Sequence, residues 1–354
     1  MDYILYVQEY YYYLILFIGV LIVASLLSYS TPDYKGNMVN VIVFFFAAFS
    51  AYYIGSRKIN IGVDTINYLR GFKIYENAKS FEIENDPFFI SYIFAKILDF
   101  RSFLFFCAFL YVFGAWYGLK KIFKKNYFIP FLFFLISPYF IAWGVNVMRS
   151  GMAASLFLLA LGAYYNKKKK WKIIGWLLVS VLTHISMFVP ILFFFLTGYL
   201  KSTKFIFFAW LSSIALSVLK INIIGSIVNI LNVSFAQIAF YAINEGERVF
   251  WSNFLIFGFF PVVFAVYNIL VLKYKNDFYK WLVNAYMLTH IPYIILLNSQ
   301  YGLRLGYLAE FMMPIILLFP LLINPELKIK YSRLKLSILL FCVFMLKAYK
   351  ILVM

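Results

Sequence analysis

Ten apolar stretches follow one another along the chain, at about 11–28, 38–55, 102–119, 128–143, 147–165, 205–220, 249–271, 281–297, 305–322 and 335–351, separated by short polar interruptions. Most approach the roughly 20 residues that a helix needs to cross a hydrocarbon layer about 30 Å thick. Only 13% of the residues are charged and 64% are hydrophobic, so no soluble core accommodates the pattern. It predicts an all-α polytopic integral membrane protein with about 10–12 transmembrane helices, residues 1–354 forming a single transmembrane domain. The first stretch lacks a basic n-region and a small-residue cleavage site, so it is expected to stay in the mature chain. Cys107 and Cys342 both fall inside apolar stretches, which predicts neither a disulfide framework nor a metal site. No Gly-rich nucleotide loop and no solenoid repeat is found.

A net charge of +18 invites a nucleic-acid reading, and the positions of the charges exclude it. The lysines gather in short loops: Lys120, Lys121, Lys124 and Lys125; Lys167 to Lys170 with Lys172; Lys201 and Lys204; Lys273, Lys275 and Lys280; Lys328, Lys330 and Lys335, with Arg333. Basic loops between spans mark the cytoplasmic face. The outer face then receives the long loop 56–87, a second loop at 221–248 and the connection 298–304, and both termini lie outside. Five of the 14 acidic residues (Asp64, Glu76, Glu82, Glu84 and Asp86) fall in the first of these loops.

Arginine does not follow lysine. Of the seven arginines, Arg57, Arg70, Arg101, Arg149, Arg248 and Arg304 avoid the lysine loops and fall on or near the outer side. A planar guanidinium binds phosphate or carboxylate oxygens bidentately and keeps its charge when partly desolvated. Arg57, Arg101 and Arg248 are open to a second role as headgroup anchors of helix ends. Arg149 and Arg304 are harder to dismiss, because an arginine in hydrocarbon costs about 2.5 to 3.5 kcal/mol even on the most forgiving insertion scale. For Arg149 the competing role is that of an interfacial snorkelling arginine over a tight helix pair. Arg149 opens a helix in NVMRSG, one turn after Asn146, where orphan N–H groups already favour an anion. The small residues after it (Ser150, Gly151, Ala153, Ala154, Ser155) let a neighbouring helix or a ligand approach closely.

The segment 171–199 has lysine clusters on both sides, so one continuous helix would place them on opposite faces. A break at THIS, residues 183–186, is expected instead, giving two short arms and a return to the cytoplasm. His184 then stands at the tip of this broken-helix hairpin, either as a base or phosphate donor or as a hydrogen-bonded structural group. His290, shortly before Pro292, is expected to hydrogen-bond a carbonyl that the proline releases.

Gly62, Asp64 and Tyr68 in the first outer loop, Asn146, Arg149, Gly151, Ala153 and Ser155 opening a helix, His184 with Ser186, and Arg304 with Tyr307 and Pro314 together resemble the EpsG branch of Wzy-type polysaccharide polymerases. The resemblance covers about residues 55–320. The chain departs from the family pattern at Ser150, where a Gln is common, and at Asn85 to Phe89, where an acidic Glu-Gly-Tyr string is common; both bear on acceptor contacts. The resemblance implies a GT-C-like membrane glycosyltransferase of a bacterial inner membrane. It would work on the periplasmic or exterior face, moving a growing O-antigen, capsule or exopolysaccharide chain from a polyprenyl diphosphate to a new lipid-linked repeat unit. Both substrates would be polyprenyl-diphosphate-linked oligosaccharides drawn from the surrounding membrane lipid, with a chain-length regulator as a further partner. Arg149, Arg304 and Arg57 would bind the diphosphate; His184 or Asp64 would activate the acceptor hydroxyl. Asn146 and Ser186 would contact substrate, and Tyr68, Trp143 and Tyr307 would stack on sugar rings, with plain packing as the competing role for each ring. No carboxylates stand at metal-ligand spacing, so no cofactor and no protein-bound metal are expected.

Three other activities compete. A lipid-linked oligosaccharide flippase calls for related halves and charges along a path, a membrane acyltransferase for more intramembrane polar groups, and an O-antigen ligase shares the arginine and histidine logic.

Overall fold

The computed structural model describes residues 2–27, 35–79, 89–137, 139–219, 221, 258–297 and 302–323. Every regular element among them is helical. The chain divides into two compact units that meet between Ile185 and Ser186.

The first unit comprises α1 (Asp2–Leu27), α2 (Lys35–Gly55), α3 (Val63–Asn77), α4 (Phe89–Ile97), α5 (Phe100–Phe123), α6 (Phe128–Ile136), α7 (Phe140–Val145), α8 (Met148–Tyr165) and α9 (Lys170–Thr183). Tyrosines tie its helices together. Tyr6 Oη donates to the Tyr53 carbonyl at 2.7 Å and Tyr53 Oη returns a bond to the Tyr6 carbonyl at 2.8 Å, while Tyr10 and Ser50 share a bond of 3.2 Å. Tyr111 Oη donates to the Phe140 carbonyl at 3.0 Å. An apolar interior leaves a phenol hydroxyl few partners, so each is aimed at a backbone carbonyl or a hydroxyl. Helix α1 starts nine residues before the apolar stretch expected at 11–28, because Tyr3, Tyr6 and Tyr10 carry the packed face through the polar pair Gln8 and Glu9.

Three stretches fold differently from their apolar pattern. The stretch at 128–143 is two short helices, α6 and α7. Ser137 precedes Pro138 and is extended (φ −50°, ψ 136°), as a residue before proline must be. Of the loop expected at 56–87, Val63–Asn77 is helix: α3 packs on α4, and Thr65, Phe72 and Tyr75, spaced by seven and three residues, are its buried face, with Ile61 buried just before it. Residues 80–88 and the second loop expected at 221–248, apart from Ile221, lie outside the described residues.

The second unit contains α10 (Phe188–Leu196), α11 (Thr203–Val218), α12 (Phe260–Leu270), α13 (Asp277–Ile295), α14 (Gly302–Glu310) and α15 (Met313–Leu322). Asn276 caps α13 by accepting from the Tyr279 N–H at 2.9 Å, and Asp277 in its first turn favours the same helix end. The stretch at 305–322 is interrupted at Phe311 and Met312. Pro314 has no N–H for the Glu310 carbonyl four residues earlier, so α14 stops there and α15 begins afresh.

Phe100–Asn126, and Leu305–Leu322 taken across its turn, are long and apolar enough to cross a membrane. Large apolar side chains also point outward, among them Leu16 (67% exposed), Phe45 (66%) and Leu182 (76%).

Candidate functional site

The axis of the first unit is the parallel pair α5 and α8. Gly114 meets Ser155, Gly118 meets Leu158 and Gly162 meets Lys121, so both helices run the same way with little between their backbones. A Cβ at Gly118 would come within 2.8 Å of the Leu158 backbone. The small residues after Arg149 are therefore used by helices: Gly151 abuts the Trp143 carbonyl, Ser155 Oγ donates to the Tyr111 carbonyl at 2.6 Å, and Ser180 Oγ of α9 donates to the Ala153 carbonyl at 2.7 Å. This close packing gives the unit two chemically different ends.

At the end where α5 and α8 finish, Asn166 Nδ2 donates to the Lys121 carbonyl at 2.8 Å, so the clusters at Lys120–Lys125 and Lys167–Lys172 are neighbours. Lys120 lies over the rings of Trp116 and Tyr127 (4.7 and 5.3 Å), and Lys121 over Tyr117 (4.6 Å). The grouping of these two clusters on one face agrees with the lysine pattern.

At the opposite end two of the family-like motifs, those at Gly62, Asp64 and Tyr68 and at Asn146 and Arg149, come together. Arg101 Nη1 donates to the carbonyls of Ser56 and Arg57 at 2.7 and 3.0 Å, which fastens the start of the first loop to α5. Gly62 has φ +89°, a conformation that L side chains rarely adopt, and a Cβ there would lie 2.5 Å from Val145 and 2.7 Å from Asn146 Oδ1. That turn delivers α3 against the start of α8. The Arg149 guanidinium sits 5.5 Å from the centre of the Tyr68 ring, and the Tyr68 hydroxyl accepts from Arg149 side chain and backbone. Burial, together with Asp64 one turn earlier and against the pull of Arg149, holds the Tyr68 phenol above its ordinary range, so it stays neutral. Asn146 hydrogen-bonds Tyr3.

His184 reaches the same level. Helix α9 ends at Thr183, His184 is extended (φ −155°, ψ 117°), and residues 185–187 form a 3₁₀ turn, so the break expected at THIS is present. Since α9 runs back along α8 with Ser180 beside Ala153, His184 lies one turn beyond that contact, and Arg149 lies one turn before it. Asp64, Tyr68, Asn146, Arg149 and His184 thus belong to one end of one unit, all of them half-buried.

Two expected ligand residues are committed elsewhere. Arg57 is 2% exposed, its Nη1 donating to the Ile54 carbonyl (2.8 Å), its Nε to Thr65 Oγ1 (3.3 Å) and its Nη2 to Met148 Sδ (3.7 Å). It braces the loop beneath Arg149 and offers no surface to a diphosphate. Trp143 is 3% exposed and stacks on Tyr139 at 6.2 Å, which is packing.

The remaining expected residues are in the second unit. Ser186 is half-buried in the 3₁₀ turn, Tyr307 is half-buried on α14, and Arg304 stands in the first turn of α14 with its side chain outside the described residues. Sequence reasoning passed over Glu310, which is 3% exposed and close enough to Tyr286 and Tyr293 to act on both electrostatically. His290 is fully buried with its ring 4.5 Å from Tyr286 and 5.8 Å from Tyr293. Neither of its nitrogens has a hydrogen-bond partner among the described residues, so it does not take the carbonyl freed by Pro292. A lone acid in an apolar stretch is as conspicuous as Arg149, and that signal was available at Glu310.

Among the described residues no group of three or more His, Cys, Asp or Glu side chains could hold a metal ion. The profile of the EpsG family matches residues 40–354. No curated protein and no solved structure matches the chain.

Proposed function

We propose, for a chain that belongs to the EpsG family of polysaccharide-biosynthesis membrane proteins, that it is a polytopic inner-membrane glycosyltransferase of the Wzy polymerase type. Its donor and acceptor are oligosaccharide repeat units linked to polyprenyl diphosphate, and its arginine-bearing end faces the periplasm or cell exterior. The observation that carries this reading is the gathering of Asp64, Tyr68, Arg149 and His184 at the end of the first unit opposite the lysines. The outward apolar side chains of several helices support lipid as their solvent.

In the reaction the acceptor hydroxyl oxygen forms a bond to the anomeric carbon of the donor sugar as the bond from that carbon to the diphosphate oxygen breaks. The acceptor proton passes to His184 or to Asp64. The leaving polyprenyl diphosphate carries away the bonding electrons, and the developing negative charge falls to the Arg149 guanidinium and the N-terminal N–H groups of α8. Tyr68 holds the guanidinium in place. Arg57 and Arg101 act at one remove, by fixing the loop that presents α3. Arg304 is proposed as a further cation on its sequence motif.

The test is a purified, liposome-reconstituted protein supplied with a lipid-linked repeat unit. A polymerase yields a ladder of products lengthening by one repeat. Transbilayer movement without lengthening would replace this reading with that of a flippase, and transfer only to a non-repeat acceptor would replace it with that of a ligase.

A further inference from the structure

At the lysine end of the first unit lies an open cavity of about 530 Å³ whose walls come from α5, α8 and α9. Leu159, Ala163, Gly175 and Val179 make an apolar trough, and among the described residues nothing stands within 4 Å of where a Cβ on Gly175 would be, so the trough is open at its centre. Lys121, Lys168 and Lys172 rim its mouth, with Trp171 and Trp176 at its edge. Helix α9 begins at Lys170 with no acidic side chain in its first turn and no side-chain cap, so its first N–H groups add positive potential there. A smaller cavity of about 350 Å³ shares Tyr117 and Lys121 and is lined further by Lys120, Lys124 and Lys125.

We infer that this cavity is a site for an anionic diacyl phospholipid of the leaflet that the lysine end faces, its phosphate among Lys121, Lys168 and Lys172 and one acyl chain in the trough. The charge is complementary and one-sided: among the described residues no carboxylate lines either cavity. The shape is that of a chain beneath a headgroup, apolar below and basic above, with tryptophans at the boundary where indole rings settle in bilayers. The polyprenyl diphosphate of the proposed reaction is not the occupant, since its charge is handled at the other end of the unit. Its exclusion rests on that reading, while the quenching experiment reads the lipid site itself and not sugar transfer. The bound lipid fills the open space beside Gly175 of α9, the helix that ends in His184.

The experiment uses full-length protein in detergent–lipid micelles, with brominated phosphatidylglycerol or brominated phosphatidylcholine as quenchers of tryptophan fluorescence. The signal of Trp171 and Trp176 is taken as the difference from the Trp171→Phe/Trp176→Phe chain. Phosphatidylglycerol should quench this pair at a lower mole fraction than phosphatidylcholine. Replacing Lys121, Lys168 and Lys172 with Gln should reduce the preference at least about fivefold, the contribution of a single lysine near an anionic surface. Gly175→Leu, which enters open space, should reduce quenching by both lipids. Equal quenching of the wild type by the two lipids would overturn the site in favour of bulk lipid. A preference that survives the triple replacement would overturn it in favour of diffuse charge from the remaining lysines.

Discussion

The two ends of the α5–α8 pair are both cationic and differ in how the cation is held. At one end the lysines are exposed, resting over rings or reaching outward. At the other end Arg57 is buried with all its nitrogens donating, Arg101 grips two carbonyls, and Arg149 lies against Tyr68 at the end that also carries Asp64 and His184. A mobile charge orients a chain in a membrane and tolerates loss. A fixed fork recognises one geometry and does not. The difference separates the part of the basic composition that sets topology from the part that is proposed to do chemistry.

The sharpest way to break the comparison is to remove the base at the arginine end. With general-base catalysis contributing about 10² to 10⁴-fold, either His184→Gln or Asp64→Asn should lower turnover of a lipid-linked repeat unit by that factor. The pH profile says which. An imidazole base works when neutral, so activity falls as pH drops below about 6.5, whereas a carboxylate base keeps working down to about pH 4 to 5. If both variants retain normal turnover, neither residue is the base.

Next in size is the fork itself. Arg149→Lys should lose about 10² to 10³-fold in turnover at equal membrane abundance, nearly as much as Arg149→Ala, because a point charge cannot replace two parallel donors to the leaving group. A fully active lysine variant would make the two ends alike.

The scaffold of the arginine end gives a smaller effect. Gly62→Ala places a Cβ against Val145 and Asn146 at positive φ, a strain of about 1 to 3 kcal/mol, to be read as a lower thermal midpoint of the purified protein. Smallest of all, Lys124→Gln with Lys125→Gln should change turnover by no more than about twofold, as exposed substitutions away from packed features do. A large loss there would move function toward the lysine end.

Much of this architecture was legible in the residues. Lysine spacing placed two of the clusters on one face, and the doubled lysine loops around 171–199 required the break that falls at His184. The family-like motifs at Asp64, Tyr68, Asn146 and Arg149 do come together. The helix α3 was hidden because hydropathy alone reads a polar amphipathic segment as loop, although Thr65, Phe72 and Tyr75 carry the helical period. Arg57 could not be separated from Arg149 by sequence, since the distinction lies in which nitrogens find backbone carbonyls. The splits of 128–143 and 305–322 follow from Pro138 and Pro314, which an apolar average conceals.

The central claim is that the arginine end works outside while the lysine end stays in the cytoplasm. In a chain with Cys107 and Cys342 replaced by Ser, Asn67→Cys on the exposed side of α3 and Lys124→Cys at the lysine end can be challenged in intact cells with an impermeant thiol reagent. The account predicts labelling of Asn67→Cys from outside, and labelling of Lys124→Cys only after the membrane is opened. Labelling of Lys124→Cys in intact cells with Asn67→Cys protected would invert the protein and contradict the account.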